Sequence, residues 1–249
     1  MLTTLMLALG AVMLATAFLS GVFGMAGGMI LMGVLLALLP LPDAMALHAV
    51  TQMASNGWRG LLWWRHVRWR AVVPFLGGSF VALAAWSLWR FVPPKAVAML
   101  LLGATPFLVR FVPSGLRPQP DNPVQSSSYG FVCMTLMLLT GVSGPLMDTF
   151  FLGGALDRRQ IVATKAVCQV FGHAVKLLYF SALIDQAASV DPIMAVLAVA
   201  MSMVGTSLAR PVLDRLSDTQ YRDWSTHIIT LIAGYYVAHG TWLLLRTSV

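Results

Sequence analysis

The chain has 249 residues, 58% of them hydrophobic and only 10% charged, where a soluble domain carries about 25% charged residues. Its mean hydropathy is +0.80, and apolar stretches of roughly 18–25 residues, the length a bilayer demands of a helix, recur throughout; this excludes a soluble domain and defines a multi-pass membrane protein. The net charge of +7 does not imply nucleic acid, because no basic patch interleaved with aromatics lies outside the spans; loop Arg and Lys are read as holding the topology instead.

Residues 3–20 predict an apolar helix. No Lys or Arg precedes it, so Ala15-Thr16-Ala17 is not read as a signal-peptide cleavage site and the segment is taken as mature protein. Gly21, Gly24, Gly27 and Gly28 then crowd one short segment. Each costs about 1 kcal/mol in a helix interior relative to alanine, which predicts a broken backbone or a very close helix contact. Residues 29–39 are apolar again, but make only about 16 Å of helix, short of a core of about 30 Å. The spacing predicts a broken, re-entrant hairpin ended by Pro40 and Pro42.

Residues 44–64 predict a helix with a polar stripe: His48, Gln52, Asn56 and Arg59, at steps of four, four and three, fall within an arc of about 80°. Arg65, His66, Arg68 and Arg70, flanked by Trp58, Trp63, Trp64 and Trp69, have the basic and aromatic character of a cytoplasmic turn. Residues 71–89 span back, with Gly77-Gly78-Ser79 as a small-residue packing face. Residues 96–112 span again. The Pro- and Ser-rich segment 113–128 reads as a linker, dividing the chain into a first transmembrane repeat (1–112) and a second (129–249).

The second part repeats the first. Lys165, Gln169, His173 and Lys176 each follow the members of the first stripe by 117 residues. The segment 140–145 resembles 20–25 at a separation of 120, which sets Gly141 against Gly21 and Gly144 against Gly24. Gly205-Thr206-Ser207 matches Gly78-Ser79-Phe80, and residues 226–245 form the last span. The acidic turn from Asp185 to Asp191 has no base and is read as external, and the turns at Arg158-Arg159 and Arg210–Arg222 as cytoplasmic. The resulting expectation is an all-α polytopic fold of two inverted repeats, each with a broken, re-entrant hairpin plus three transmembrane helices; if the glycine segments instead cross fully, each half has four spans, the repeats are parallel and the acidic turn becomes cytoplasmic, which fits the charge rule less well.

Inverted repeats with a broken element in each half mark transporters, with the substrate held near the midplane at the repeat interface. Broken helices offer unpaired amides at positive half-helix ends, here at Ala26-Gly27-Gly28 and Leu146-Met147-Asp148. A cation in the lipid interior costs roughly 2.5–3.5 kcal/mol or more, so a small anion would satisfy these donors together. Gln52, Asn56, Arg59, Gln169, His173 and Lys176 are the candidate ligands, with Gly24, Gly27, Gly28 and Gly144 allowing backbone approach. Asp148, placed by the 120-residue register opposite Gly28, is the proton-coupling candidate. Each residue also has a plainer reading. The amides and His173 can serve as interhelical glue, and Arg59 can snorkel toward Trp63 and Trp64. Lys165 is expected to snorkel beside Arg158 and Arg159, and His48 to serve as a capping or interface residue. Cys133 and Cys168 match no metal or disulfide spacing and read as buried thiols. No metal or cofactor is expected.

The glycine segment Ser20–Gly28, the polar helix from Ala46 to Arg59, the turn His66-Val-Arg-Trp-Arg70 and Gly77-Gly78 together resemble the TauE/SafE sulfite exporter family. The resemblance covers nearly the whole chain. It implies a multi-pass permease of the cell (inner) membrane for small organosulfur anions such as sulfite or sulfonates, and not an enzyme. Two features depart from the family pattern: no proline follows the first glycine motif, and Gly144-Pro145-Leu146-Met147-Asp148 lacks paired glycines. The expected partners are a small anionic substrate and the lipid bilayer, with a homodimer left open. Two alternatives remain. One is a passive anion channel. The other is a rhomboid-like intramembrane serine protease, in which Ser143 of Gly141-Val142-Ser143-Gly144 would pair with His239.

Overall fold

The computed structural model describes residues 2–24, 26–108, 119–152, 156–183, 188 and 190–247. Ten α-helices follow one another: α1 (Leu2–Phe23), α2 (Ala26–Leu38), α3 (Leu41–Leu62), α4 (Trp69–Trp89), α5 (Lys95–Leu108), α6 (Pro123–Thr140), α7 (Gly144–Leu152), α8 (Arg158–Leu178), α9 (Pro192–Arg215) and α10 (Asp218–Thr247). No strand occurs among the described residues. Five helices, α1, α4, α8, α9 and α10, are long and apolar enough to cross a membrane. The fold is all-α and polytopic, and Leu88, Trp89, Leu231 and Leu245 are among the large apolar side chains on its outer surface, as contact with lipid requires.

Local chemistry sets several helix starts. Asn122 caps α6 by accepting from the amides of Val124 and Gln125. Asp157 opens α8 with a reciprocal capping box to Gln160. Asp191 caps α9 through the amide of Met194. The α6 start lies inside the stretch expected as linker: residues 123–128 are helical, because Asn122-Pro123 is a strong N-terminal signal. Residues 109–118 and Asp185 of the acidic turn lie outside the described residues.

The glycine breaks differ from expectation in extent and register. α1 continues through Ser20 and Gly21 to Phe23, so the helix runs past its expected end at residue 20 and the break falls at Gly24. The chain reverses at Gly24, whose φ is +79°, and Gly141 has the same φ of +79°. Only glycine adopts that conformation at little cost. These two turns are 117 residues apart, the separation of the stripes, so one register covers both features and the 120-residue alignment is corrected. Gly27 then corresponds to Gly144, and Asp148 corresponds to Leu31 and not to Gly28. After its turn, α2 folds back tightly on α1: a Cβ at Gly27 would collide with the Thr16 carbonyl and crowd the Ser20 hydroxyl.

The largest helix interfaces are α1 with α9, α4 with α6, α5 with α10 and α3 with α8. Exchanging α1–α5 for α6–α10 leaves this set of pairs unchanged. Direction follows from residue contacts. Gly10 of α1 meets Leu197 of α9 and Gly21 meets Ala209, so these two run parallel. Ser126 donates to the Ala71 carbonyl while Trp86 donates to Thr135, so α4 and α6 also run parallel. Gly103 meets Ala233 and Tyr236 while Gly240 meets Leu100, so α5 and α10 are antiparallel. In α3 and α8, Gly57 meets Val170, Gly60 meets Val167 and His48 meets Lys176, again antiparallel. Small residues permit these approaches: a Cβ at Gly78 would strike the Ser127 carbonyl, and one at Gly130 the Phe75 carbonyl.

Candidate functional site

Because α3 and α8 cross the interior antiparallel, their polar stripes face one another end to opposite end. All eight stripe residues are buried, none more than 6% exposed. At one end, Lys176 Nζ lies 2.8 Å from His48 Nδ1 and donates to the Gly141 carbonyl at 2.9 Å. His48 Nε2 lies 2.8 Å from the Gly28 carbonyl. An ammonium only donates and a carbonyl only accepts, so this network assigns the neutral histidine tautomer with its proton on Nε2. One imidazole thus links the carbonyl at the start of α2 to the lysine that holds the second glycine turn. The His173 ring stands edge-on to His48 at 5.4 Å between centroids. Just beyond Lys176, α8 loosens into a π-helical turn, Tyr179–Leu183, a feature common near functional sites.

At the other end, Arg59 Nη1 donates to Asn56 Oδ1 at 3.1 Å and Nη2 to Ser55 Oγ at 3.3 Å. Ser55 in turn pairs with the Thr206 hydroxyl at 2.8 Å. Lys165 is within electrostatic reach of Arg59 and forms a buried ion pair with Asp148. A Cβ on Gly24 would come within 2.9 Å of Lys165 Nζ, so that glycine turn needs its missing side chain for two reasons. Gln52 lies between the ends, its side-chain carbonyl against Gly28, and Asn56 Nδ2 donates to the Gln52 backbone carbonyl at 2.9 Å.

The structure therefore brings Gln52, Asn56, Arg59, Gln169, His173 and Lys176 onto one buried seam and sets the Gly24 and Gly141 turns and Gly28 of α2 against it. Three side-chain readings are corrected. His48 is neither cap nor interface residue; it is fully buried and bridges both halves. Lys165 does not snorkel toward Arg158 and Arg159, because Asp148 pairs with it inside the protein, while those arginines pair with Asp218 and Asp214. Arg59 does not reach toward Trp63 and Trp64, because Ser55 and Asn56 hold it inward. Ser55, Thr206 and the Gly141 carbonyl are participants that the sequence reading did not single out. Ser55 and Thr206 carry no pattern of their own beyond the small-residue face at Gly205.

The charge balance of the seam is uneven. Arg59, Lys165 and Lys176 face one carboxylate, Asp148. Among the described residues, Arg59 and Lys176 have no carboxylate partner. Gln52 Nε2, Arg59 Nε, His173 Nδ1 and Ser20 Oγ are buried without a hydrogen-bond partner there, each an uncompensated cost of roughly 1–3 kcal/mol. The amide of Met147, by contrast, is taken by the Ser143 carbonyl. A cleft of about 510 Å³ lies elsewhere, between Ile30–Leu38 of α2 and Leu231–Tyr236 of α10, and is apolar. No group of His, Cys, Asp or Glu among the described residues could hold a metal ion. Cys133 and Cys168 are free and buried. Ser143 lines a small cavity with Ser79 and Cys168, whereas His239 on α10 stacks between Tyr235 and Trp242, so the two protease candidates have different neighbours.

Helices that cross a membrane, two reversed glycine turns and a cation-rich seam between them define a polytopic membrane protein with a polar centre in an apolar body. The chain belongs to the sulfite exporter TauE/SafE family, which it matches over residues 8–236. That is a family of membrane transporters, and the resemblance carried by the glycine segment and the polar helix holds. No curated protein and no solved structure matches the chain.

Proposed function

We propose that this protein is a permease that carries a small organosulfur oxyanion, such as sulfite or a sulfonate, across the cell membrane by alternating access between two inverted repeats. The observation that carries this reading is the excess of buried positive charge and orphaned donors on the α3–α8 seam. Left without a guest, such a seam is costly in lipid; a bound oxyanion offers acceptors to the donors of the end that it occupies. Arg59 and Lys176 supply charge, Gln52, Asn56, Gln169 and His173 supply directed donors, and Gly24, Gly28 and Gly144 let the backbone come close, whereas Gly27 makes room for Thr16 and Ser20 of α1. Asp148 is the group suited to exchange a proton as the anion enters or leaves.

The paired interfaces support the inverted-repeat reading. A helix that meets its own counterpart antiparallel, as α3 meets α8 and α5 meets α10, is related to it by an axis perpendicular to both, which is the geometry of inverted repeats in a membrane. All eight stripe residues are buried, as they would be in an occluded intermediate between two open forms. The test is counterflow in proteoliposomes, preceded by thermal-shift screening against sulfite, sulfate, thiosulfate, sulfoacetate, taurine and carboxylates. A carrier exchanges labelled anion against an unlabelled internal pool. A conductance without counterflow would mean a channel, and a flat screen would remove the anion assignment.

A further inference from the structure

The two ends of the seam are not chemically alike. Lys176 is held only by neutral acceptors, His48 Nδ1 and the Gly141 carbonyl. Lys165 is held by a carboxylate, Asp148. The 117-residue register pairs Arg59 with Lys176, so each end keeps one cation in common, and it pairs the neutral His48 with Lys165. Asp148 has no such counterpart, since Leu31 occupies its equivalent position. The carboxylate is an addition to one end of a duplicated frame. His48 and Arg59 are eleven positions apart on α3, about 16 Å along the helix, too far for one small oxyanion to touch both ends.

Asp148 is also loosely held. It is buried on α7, yet apart from Lys165 neither of its oxygens has a hydrogen-bond donor among the described residues. A structural carboxylate in a buried site is normally held by several donors. Arg59, within electrostatic reach of Lys165, has an Nε without a hydrogen-bond partner, and Gly24 sets no side chain against this end, where a Cβ would lie 2.9 Å from Lys165 Nζ and 3.9 Å from Asp148 Oδ1.

We propose that the Arg59–Lys165 end is a second anion station and that Asp148 is a tethered carboxylate occupying it in place of a free oxyanion. This rests on reading the seam as an anion site. A small oxyanion takes the Lys176–His48 end directly, but takes the Arg59–Lys165 end only by displacing Asp148. The tether thereby keeps the second station filled when no substrate is there, and gives the two ends unequal affinities.

The experiment measures the melting temperature of the purified full-length protein in sulfite against chloride at matched ionic strength. Asp148→Asn empties the station while keeping the side-chain shape. It is expected to raise the sulfite-induced shift above that of the wild type by at least about 3 °C, the size that occupation of one further site produces, and Asp148→Asn/Lys165→Gln is expected to lose that extra shift. Equal shifts in wild type and Asp148→Asn, or an extra shift that survives the double substitution, would overturn the proposal. Should Asp148→Asn not fold in chloride, its recovery when sulfite is present throughout purification is the same readout; failure in both salts while the double variant folds would also overturn it. A wild type that ignores every oxyanion beside an Asp148→Asn variant that responds through Lys165 would sink the transport reading and leave the second station standing.

Discussion

Lys176 Nζ lies 2.8 Å from Nδ1 of His48, a residue 128 positions earlier, and donates to the Gly141 carbonyl at 2.9 Å. A single ammonium thus joins the polar helix of one half to the chain reversal of the other. Hydrogen bonds to a charged group contribute about 1.5–3 kcal/mol, and removing the charge also removes the strongest attraction for an anion at that end. Lys176→Met is therefore expected to weaken binding of the best-bound oxyanion by about 10- to 100-fold, read as Kd by titration of purified protein. An affinity within twofold of wild type would count against the assignment.

His48 tests the link between the halves separately from the charge. His48→Ala leaves Lys176 and the Gly28 carbonyl both short of a partner, a buried deficit of about 2–4 kcal/mol. His48→Gln can place a carbonyl toward Lys176 or an amide toward Gly28, but not both in the same positions. The expected order of thermal stability is wild type, then Gln, then Ala. An alanine variant as stable as wild type would show that the bridge holds nothing together.

The glycines give a graded prediction. Gly24 and Gly141 have φ of +79°, and a side chain there is strained besides meeting Lys165 or Met45. Either glycine replaced by alanine is expected to destabilise the protein by more than about 1 kcal/mol. Gly78→Ala should be worse, since its Cβ meets the Ser127 backbone between α4 and α6. Gly77→Ala meets nothing within 4 Å, and alanine favours the helix; this neighbour should be neutral or slightly stabilising. Thermal unfolding of the four variants side by side checks the ranking, and a Gly77→Ala variant as damaged as Gly78→Ala would contradict it.

These residues also show what a sequence can disclose. The stripes were legible because helical periodicity is local: His48, Gln52, Asn56 and Arg59 mark a face whatever packs on it. The duplication was legible because polar residues are rare in an apolar chain, so a repeated spacing stands out. The glycine register was not, because Gly21, Gly24 and Gly27 are evenly spaced and shifting the alignment by three still matches glycine to glycine; backbone φ breaks the tie. Lys165 and His48 were misread because snorkelling and capping are judged from sequence neighbours. Their partners, Asp148 and Lys176, come from separate helices brought in by tertiary packing.

The antiparallel seam makes a last prediction about motion. A Cβ on Gly57 would lie 3.8 Å from Cγ2 of Val170, which puts the two Cβ atoms more than about 4 Å apart, at the upper edge of the roughly 3.5–4.5 Å that a disulfide needs. Both positions are half-buried and neither belongs to a polar stripe. With Cys133 and Cys168 replaced by alanine, the pair Gly57→Cys/Val170→Cys is expected to cross-link under mild oxidation. If α3 and α8 must part or slide to expose the seam to either side, the oxidised protein should retain less than about one-tenth of its counterflow, and a reductant should restore it. Each single cysteine variant should be indifferent to oxidant. Efficient cross-linking with undiminished exchange would mean that this interface stays closed through the cycle, and access to the seam would then have to open along another flank of the stripe helices, where α3 packs on α9 and α2 and α8 packs on α4 and α6.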